Sequence, residues 1–329
     1  MLKPSSLTKL KSGKNLLAFS AGGDSTALLF LLLKHNISFD IAIVDYELRL
    51  QSKEEVKYAK ELANKHNFNC FTKTAPQIDS NFEANARAIR YDFFEHLIQK
   101  HNYDTLLTAH HLGDRFEWML MQFCKGAGCV ELAGMQESEK RSSYTLLRPL
   151  LHLDKVELLE YLKKEHIHYF EDESNSDMKY KRNEFRQNHT QPLLKKYLQG
   201  IKKSFTYIDE DVSEFIKEVN LQVVDTFAYF HSSLHKRSDI FHIDKYLKNE
   251  GILISSNEKE LLKYEKTVVI ARKIVVNQEH GFVFIMPYTK SENMDKSFKE
   301  EMRLLKIEPK LRGFLFKNTK AKELLVSLL

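Results

Sequence analysis

Apolar residues in the first half of the chain fall into short continuous runs, separated by longer stretches where they recur every three or four positions. Asn15–Ser20 (NLLAFS), Phe39–Tyr46 (FDIAIVDY), Asn69–Thr74 and Thr105–His110 read as strands bounded by polar residues. Between them the pattern predicts helices. Asp24–His35 is apolar nearly all round, as expected of a helix covered on most sides. Ser52 with Glu55, and Ser80 with Glu83, have the spacing of capping boxes, the second opening a helix to about Lys100. A further helix is expected from about Gly113 to Lys125. Strands alternating with helices predict an α/β fold with a doubly wound parallel sheet, which binds ligands beyond the carboxyl ends of its strands.

Farther along, Asp154 and Glu157 are placed to cap a short amphipathic helix carrying Val156, Leu159 and Leu162. From Asp177 the pattern turns helical and polar, to about Val224. Val268–Val276 and Phe282–Pro287 read as strands, with Gln278 to Gly281 as the turn between them. Boundaries are expected near Leu198–Lys203 and Phe227–Ser233. They give a domain over residues 1–200, a helical linker over 201–230 and a small C-terminal domain over 231–329.

The 329 residues are 43% hydrophobic and 29% charged, an ordinary globular balance that argues against global disorder. A net charge of +5 permits nucleic-acid binding without requiring it. Cys70, Cys124 and Cys129 form no C-x-x-C pair, which argues against a disulfide framework or structural zinc and for a reducing, cytoplasmic setting. The apolar run Leu28–Leu33 is too short to span a bilayer, so no membrane partner is expected. No signal peptide is recognisable, and a homodimer is compatible with the chain.

The sharpest chemical signal is Ser20-Ala21-Gly22-Gly23-Asp24-Ser25, between the first strand and the first helix. Adjacent glycines let the backbone approach a ligand, the helix start directs N–H groups at it, and the serines add hydroxyls. Together they make a pyrophosphate cradle. Asp24 facing an anion calls for an intervening metal or hydroxyl; otherwise it caps the helix. A Walker loop (G-x-x-x-x-G-K-S/T) and a dinucleotide fingerprint (G-x-G-x-x-G) are both absent. The competing reading is a strand-to-helix turn that binds nothing.

This segment resembles the S-G-G-x-D-S pattern of the PP-loop superfamily, with Ala21 in place of the first glycine. Ala21 is expected to avoid a positive φ, which costs a non-glycine residue about 1 kcal/mol. The resemblance implies a Rossmann-like PP-loop domain followed by a helical linker and a small C-terminal domain. It also implies cleavage of ATP between its α- and β-phosphates, adenylation of a substrate oxygen and release of pyrophosphate. Ser20, Ala21, Gly22, Gly23, Asp24 and Ser25 would hold the nucleotide, together with Asp45 and His110.

Four further stretches are similar to the tRNA(Ile)-lysidine synthetase family, over roughly residues 15–190. Val44-Asp45-Tyr46-Glu47-Leu48-Arg49 parallels V-D-H-G-L-R, with Asp45 placed for a ribose or metal, or for a pair with Arg49. Glu83 to Tyr91 parallels E-x-x-A-R-x-x-R-Y. Its Glu83, Arg87 and Arg90 lie on one helix face, as substrate-binding forks or as a surface ion-pair ladder. His110-His111-Leu112-Gly113-Asp114-Arg115-Phe116-Glu117 parallels H-H-x-x-D-Q-x-E, with Gly113 where a further Asp is common and Arg115 where Gln is usual. Zinc on His110 and His111 is disfavoured, because adjacent strand residues point to opposite faces. Arg148 in Leu147-Arg148-Pro149-Leu150, Glu171 to Asn175, and Arg182 with Arg186 in Arg182-Asn183-Glu184-Phe185-Arg186 complete the set as R-P-L, E-D-x-S-N and R-N-x-x-R. Asp172, Ser174 and Asn175 read equally as a helix-capping turn.

The family resemblance implies ATP, Mg²⁺, L-lysine and an isoleucine tRNA with a CAU anticodon as cofactors and partners. ATP would adenylate the C2 oxygen of the wobble cytidine, and the lysine ε-amine would displace AMP. Asp24, Asp114 and Glu117 are the candidate catalytic residues, with Asp24 and Asp114 also as metal ligands. Glu83, Arg87, Arg90, Arg148, Arg182 and Arg186 are candidates for substrate binding. Arg303, Lys306, Lys310, Arg312, Lys317, Lys320 and Lys322, interleaved with Phe314 and Phe316, suit RNA phosphates and stacked bases, or a solvated face over two core phenylalanines. Alternatives are another PP-loop enzyme such as a tRNA thiolase, though no C-x-x-C is present, a small-molecule amide synthetase, or an RNA-binding protein with a relic loop.

Overall fold

The computed structural model describes residues 1–47, 51–141, 143–171, 181–290 and 294–329. The chain divides into two compact units, residues 1–209 and 210–329.

The first unit runs α1 (Pro4–Lys11), β1 (Asn15–Ala18), α2 (Gly23–Lys34), β2 (Phe39–Asp45), α3 (Gln51–His66), β3 (Cys70–Thr74), α4 (Phe82–His101), β4 (Thr105–Leu107), α5 (Leu112–Phe123), α6 (Cys129–Ala133), β5 (Ser138–Lys140), β6 (Thr145–Leu147), α7 (Lys155–Lys164) and α8 (Lys181–Phe185). A π-helical turn over Arg186–Thr190 then leads into α9 (Gln191–Phe215). Six strands form one sheet in the order β3-β2-β1-β4-β6-β5, parallel except for β5, which lies antiparallel to β6. The chain builds outward on one side of β1, then returns to add β4 on the other. That reversal between β1 and β4 leaves a crevice beyond their carboxyl ends, where such sheets bind ligands.

Alternation along each strand explains why both faces are covered. Leu17, Ile41, Ile43, Leu107 and Leu147 join a core with α1, α2, α3 and α7. Their neighbours Leu16, Ala42, Leu106 and Leu146 face the opposite way, against Phe94, Leu97 and Ile98 of α4. On α5, Leu112 and Phe116 pack with Leu194 and Phe205 of α9.

The second unit is a five-stranded antiparallel sheet, β7-β8-β11-β10-β9, built from β7 (Gln222–Val224), β8 (Phe227–His231), β9 (Thr267–Ile270), β10 (Ile274–Glu279) and β11 (Phe282–Pro287). Helices α10 (Lys236–Asn249) and α11 (Ser256–Tyr264) contribute to one core. Helices α12 (Lys296–Leu304), α13 (Pro309–Lys317) and α14 (Thr319–Leu328) contribute to the other. No helix among the described residues is long and apolar enough to cross a membrane.

Several elements differ from the sequence expectation. α4 is preceded by Asn81 in a left-handed conformation (φ 44°), not capped by Ser80, and no side chain bonds its first N–H groups. Ser52 lies inside α3, which begins at Gln51. The box on α7 does form: Asp154 accepts from the Val156 N–H and Glu157 from the Asp154 N–H, at 3.3 and 2.7 Å. The run Val268–Val276 is two strands, because Ala271 and Arg272 take positive φ values (49° and 56°) and reverse the chain. The helical stretch ends at Phe215, and Gln222–Val224 pairs with β8 as a strand.

A candidate nucleotide site at the reversal of the sheet

Ser20 to Ser25 close β1 and open α2, whose N-cap residue is Gly22 and so offers no side-chain cap. Its first N–H groups therefore face the crevice without the Asp24 cap considered as an alternative. Ala21 takes φ 58°, against the expectation that it would avoid positive values. The strain is held by two bonds to its carbonyl, from the Phe170 N–H at 3.0 Å and the Thr26 hydroxyl at 3.2 Å. Ser25 is buried and turned into the loop: its Oγ accepts the Ser20 N–H at 3.2 Å and donates to the Gly22 carbonyl at 3.1 Å. Ser25 therefore braces the loop, while Ser20 is the exposed hydroxyl.

Beyond β4, Thr108 Oγ1 bonds His110 Nδ1 at 2.9 Å. Burial, more than the neighbouring charges, pushes the His110 imidazole down to about 4, so it is neutral at physiological pH. The next residue, His111, was not among the expected site residues. It is the N-cap of α5: Nδ1 accepts the Gly113 N–H at 3.0 Å, and the His111 N–H donates to Asp114 Oδ2 at 3.1 Å. A ring nitrogen that accepts leaves the proton on Nε2 in the neutral imidazole. That atom lies 3.7 Å from Asp24 Oδ2 and 3.5 Å from Asp114 Oδ2. Gly113 makes this possible, since a Cβ there would stand 2.7 Å from His111 Cε1.

Asp114 and Glu117 share one face of α5 and meet the two arginines carried by α8 and the π turn. Glu117, 2% exposed, accepts from Arg182 Nε and, at 2.8 Å, from Arg186 Nε. Arg182 also donates to Glu83 at 3.2 Å and Asp114 at 3.3 Å, and Arg186 approaches Asp114 to 3.7 Å. Burial alone would raise the Asp114 pKa, but His111, His110, Arg182 and the His111 N–H together hold it below the usual carboxylate range. Burial opposes the charge on Arg182, and Asp114 and Glu117 outweigh it.

The remaining candidates spread more widely. Glu83 reaches Arg182, while the Arg87 guanidinium lies 4.5 Å over the Tyr91 ring, so the Glu83–Arg87 rung of a surface ladder is not made. Arg87, Arg148 and Arg182 all lie close enough to His110 to disfavour its charge; at Tyr46 burial raises the phenol pKa, and nearby Arg90 partly opposes that. Arg148 is buried and donates to the Gln136 carbonyl and Glu139, at 2.8 and 2.9 Å, towards β5. Asp45 accepts the Glu47 N–H at 2.8 Å, as an Asx turn. Leu48, Arg49 and Asp172 to Asn175 lie outside the described residues. Among the described residues no three His, Cys, Asp or Glu side chains are grouped as a metal site.

Residues 3–193 match the PP-loop domain family. A tRNA(Ile)-lysidine synthase of Campylobacter jejuni (strain RM1221) is 42% identical over 316 residues, 96% of this chain and 96% of the relative. One from Helicobacter pylori (strain 26695) is 43% identical over 313 residues, 94% of this chain and 91% of the relative. The chain belongs to the tRNA(Ile)-lysidine synthase family. The U34-tRNA thiolase NcsA of Methanococcus maripaludis shares the fold at a TM-score of 0.51 and 17% identity, over 65% of this chain and 78% of that one.

For a tRNA(Ile)-lysidine synthase family member, the least expected feature of the site is Arg115. Its Nη1 and Nη2 grip Asp209 of α9, the former at 2.9 Å to Oδ2, its Nε donates to the Ala133 carbonyl at 2.9 Å, and its guanidinium lies 4.3 Å over Phe205. Asp209 lies 94 residues from Arg115 and no local pattern marks it. In the second unit, Phe314 is buried and the partly buried Phe316 packs edge-on to Phe298 at 5.0 Å, so both contribute to the core. Arg303 pairs with Glu300, Lys322 with Glu301, and Arg312 with the Ile307 carbonyl. Arg303, Lys306, Lys310, Lys317 and Lys320 are exposed, and Arg303 is the one of them held by a carboxylate among the described residues.

Proposed function

We propose that the protein joins L-lysine to C2 of the wobble cytidine of an isoleucine tRNA with a CAU anticodon, consuming ATP and releasing pyrophosphate and AMP. The observation that carries this reading is the uncapped, serine-braced loop at the sheet's reversal, facing His111 and Asp114, in a chain that aligns with lysidine synthases over nearly its whole length. A ring carbonyl is a poor electrophile and oxide a poor leaving group. Adenylation of the C2 oxygen answers both difficulties. The oxygen attacks the α-phosphorus and pyrophosphate departs; the lysine ε-amine then adds to C2 and AMP leaves. Loop N–H groups and the Ser20 hydroxyl would hold the departing pyrophosphate, a task that is mostly electrostatic.

Asp24 Oδ1 is buried and has no hydrogen-bond partner, which fits it to hold Mg²⁺ alongside phosphate oxygens. The ion would neutralise charge on the pyrophosphate. Asp114 is a poorer donor for it, since Oδ1 takes Arg182 and Oδ2 takes the His111 N–H. Lysine brings a carboxylate and two amines. The cluster of Asp114, Glu117, Arg182 and Arg186 supplies fixed charges of both signs for them. With both Glu117 oxygens engaged by arginines, its role is to aim those arginines rather than to take a proton. Unstacking the cytosine is cheap in an anticodon loop.

Incubation with ATP, L-lysine and a CAU isoleucine tRNA, then nuclease digestion and mass spectrometry, tests the reading. A cytidine carrying lysine supports it. RNA left free of lysine in the presence of all three substrates, or pyrophosphate released without RNA, overturns it, the second in favour of a small-molecule synthetase.

A further inference from the structure

Trp118 is the chain's single tryptophan, and it stands in the second turn of α5 with 45% of its surface exposed. One edge of the indole is seated. It lies over Gly134, where a Cβ would come within 2.6 Å of Trp118 Cδ1, and that glycine holds φ 62°. The seat is itself fixed to α5, because Arg115 Nε donates to the carbonyl of Ala133, the residue before Gly134. The ring is thus held in one place by backbone, with a large apolar surface left to solvent. Asp114 and Trp118 are i, i+4 on the helix, so they share a face about 6 Å apart along its axis. Gln122 continues that spacing, and the exposed Lys125 follows in the turn that closes the helix.

A rigid aromatic surface, an amide and a cation, starting one turn from the reacting centre, match the chemistry of single-stranded RNA. Bases stack on aromatic faces whatever their identity, and phosphates seek the cation. When the cytidine is drawn out to be adenylated, its neighbour in the anticodon loop loses a stacking partner. We propose that Trp118 replaces that partner, stacking on the anticodon-loop base adjacent to the modified cytidine. This rests on the lysidine-forming reading above.

The lone tryptophan makes the test direct. Titrating the full-length protein with CAU isoleucine tRNA should quench its fluorescence and shield it from acrylamide, and an RNA of the same tRNA lacking the anticodon stem-loop should do neither. Trp118→Ala should raise KM for tRNA about tenfold, with KM for ATP and lysine unchanged, and Trp118→Tyr should restore most of it. Fluorescence indifferent to tRNA, equal quenching by the loop-less RNA, or an unaltered KM in a folded Trp118→Ala protein overturns the proposal. Lysine incorporation by the unsubstituted protein, measured alongside, separates these outcomes from failure of the underlying reading.

Discussion

His111 Nε2 lies 3.7 Å from Asp24 Oδ2 on the phosphate loop while its ring caps the helix that carries Asp114. One imidazole therefore links both sides of the crevice, and Gly113 leaves the space for it. Gly113→Ala should displace the ring and lower kcat by about tenfold to a hundredfold, without loss of thermal stability because alanine favours the helix. Steady-state kinetics with a melting curve checks this. An unchanged kcat would remove His111 from the machinery. Gly113→Asp, which installs the residue common in the family, should meet the same obstacle.

Arg115 is buried with its charge matched by Asp209. Asp209→Ala leaves that charge without its partner and should destabilise the protein by about 2 kcal/mol, less than for a fully buried pair because Asp209 is partly exposed. Arg115→Gln in the same chain should recover part of the loss. Urea unfolding of the single and double variants measures the coupling.

Glu117 holds Arg182 and Arg186 by their Nε atoms. Glu117→Gln keeps the shape but loses the charge that both cations face. Amide exchange over residues 181–190 should accelerate, and activity should fall about a hundredfold. Unaltered exchange together with lost activity would instead give Glu117 a direct role in the reaction.

His110 is kept neutral by burial, with its pKa near 4 in the fold against an ordinary value near 6.5. Between those values the unfolded chain binds a proton that the native state does not, so stability falls as pH drops from about 6.5 to about 4. His110→Gln should flatten this part of the stability profile. Urea midpoints at pH 7.5 and pH 5 in both proteins reveal it: a smaller difference in the variant is expected, and an equal one counts against a neutral His110.

Four parallel strands of the first sheet were legible as short runs set among helical periods, whereas the three-residue β5 and β6 are too short to show a pattern; the loop was legible because its residue types sit at one strand-to-helix turn. What escaped depends on tertiary geometry. Ala21 accepts a left-handed conformation because Phe170 and Thr26, distant or buried, bond its carbonyl. His111 follows His110 in the sequence, yet its place between two carboxylates comes from the α5 cap. Ala271 and Arg272 reverse the chain with no glycine or proline to signal it. Phe314 and Phe316 carry the same pattern whether they stack on bases or fill a core, and packing decides for the core.

The most direct measurement of the whole account is the yield of AMP against lysine joined, with α-labelled ATP, labelled lysine and two isoleucine tRNAs that differ only in cytidine or uridine at the wobble position. The account predicts one AMP for each lysine on the cytidine tRNA, no turnover on the uridine tRNA, and loss of both products in Asp24→Ala. Lysine joined without AMP, or full turnover in Asp24→Ala, would contradict it.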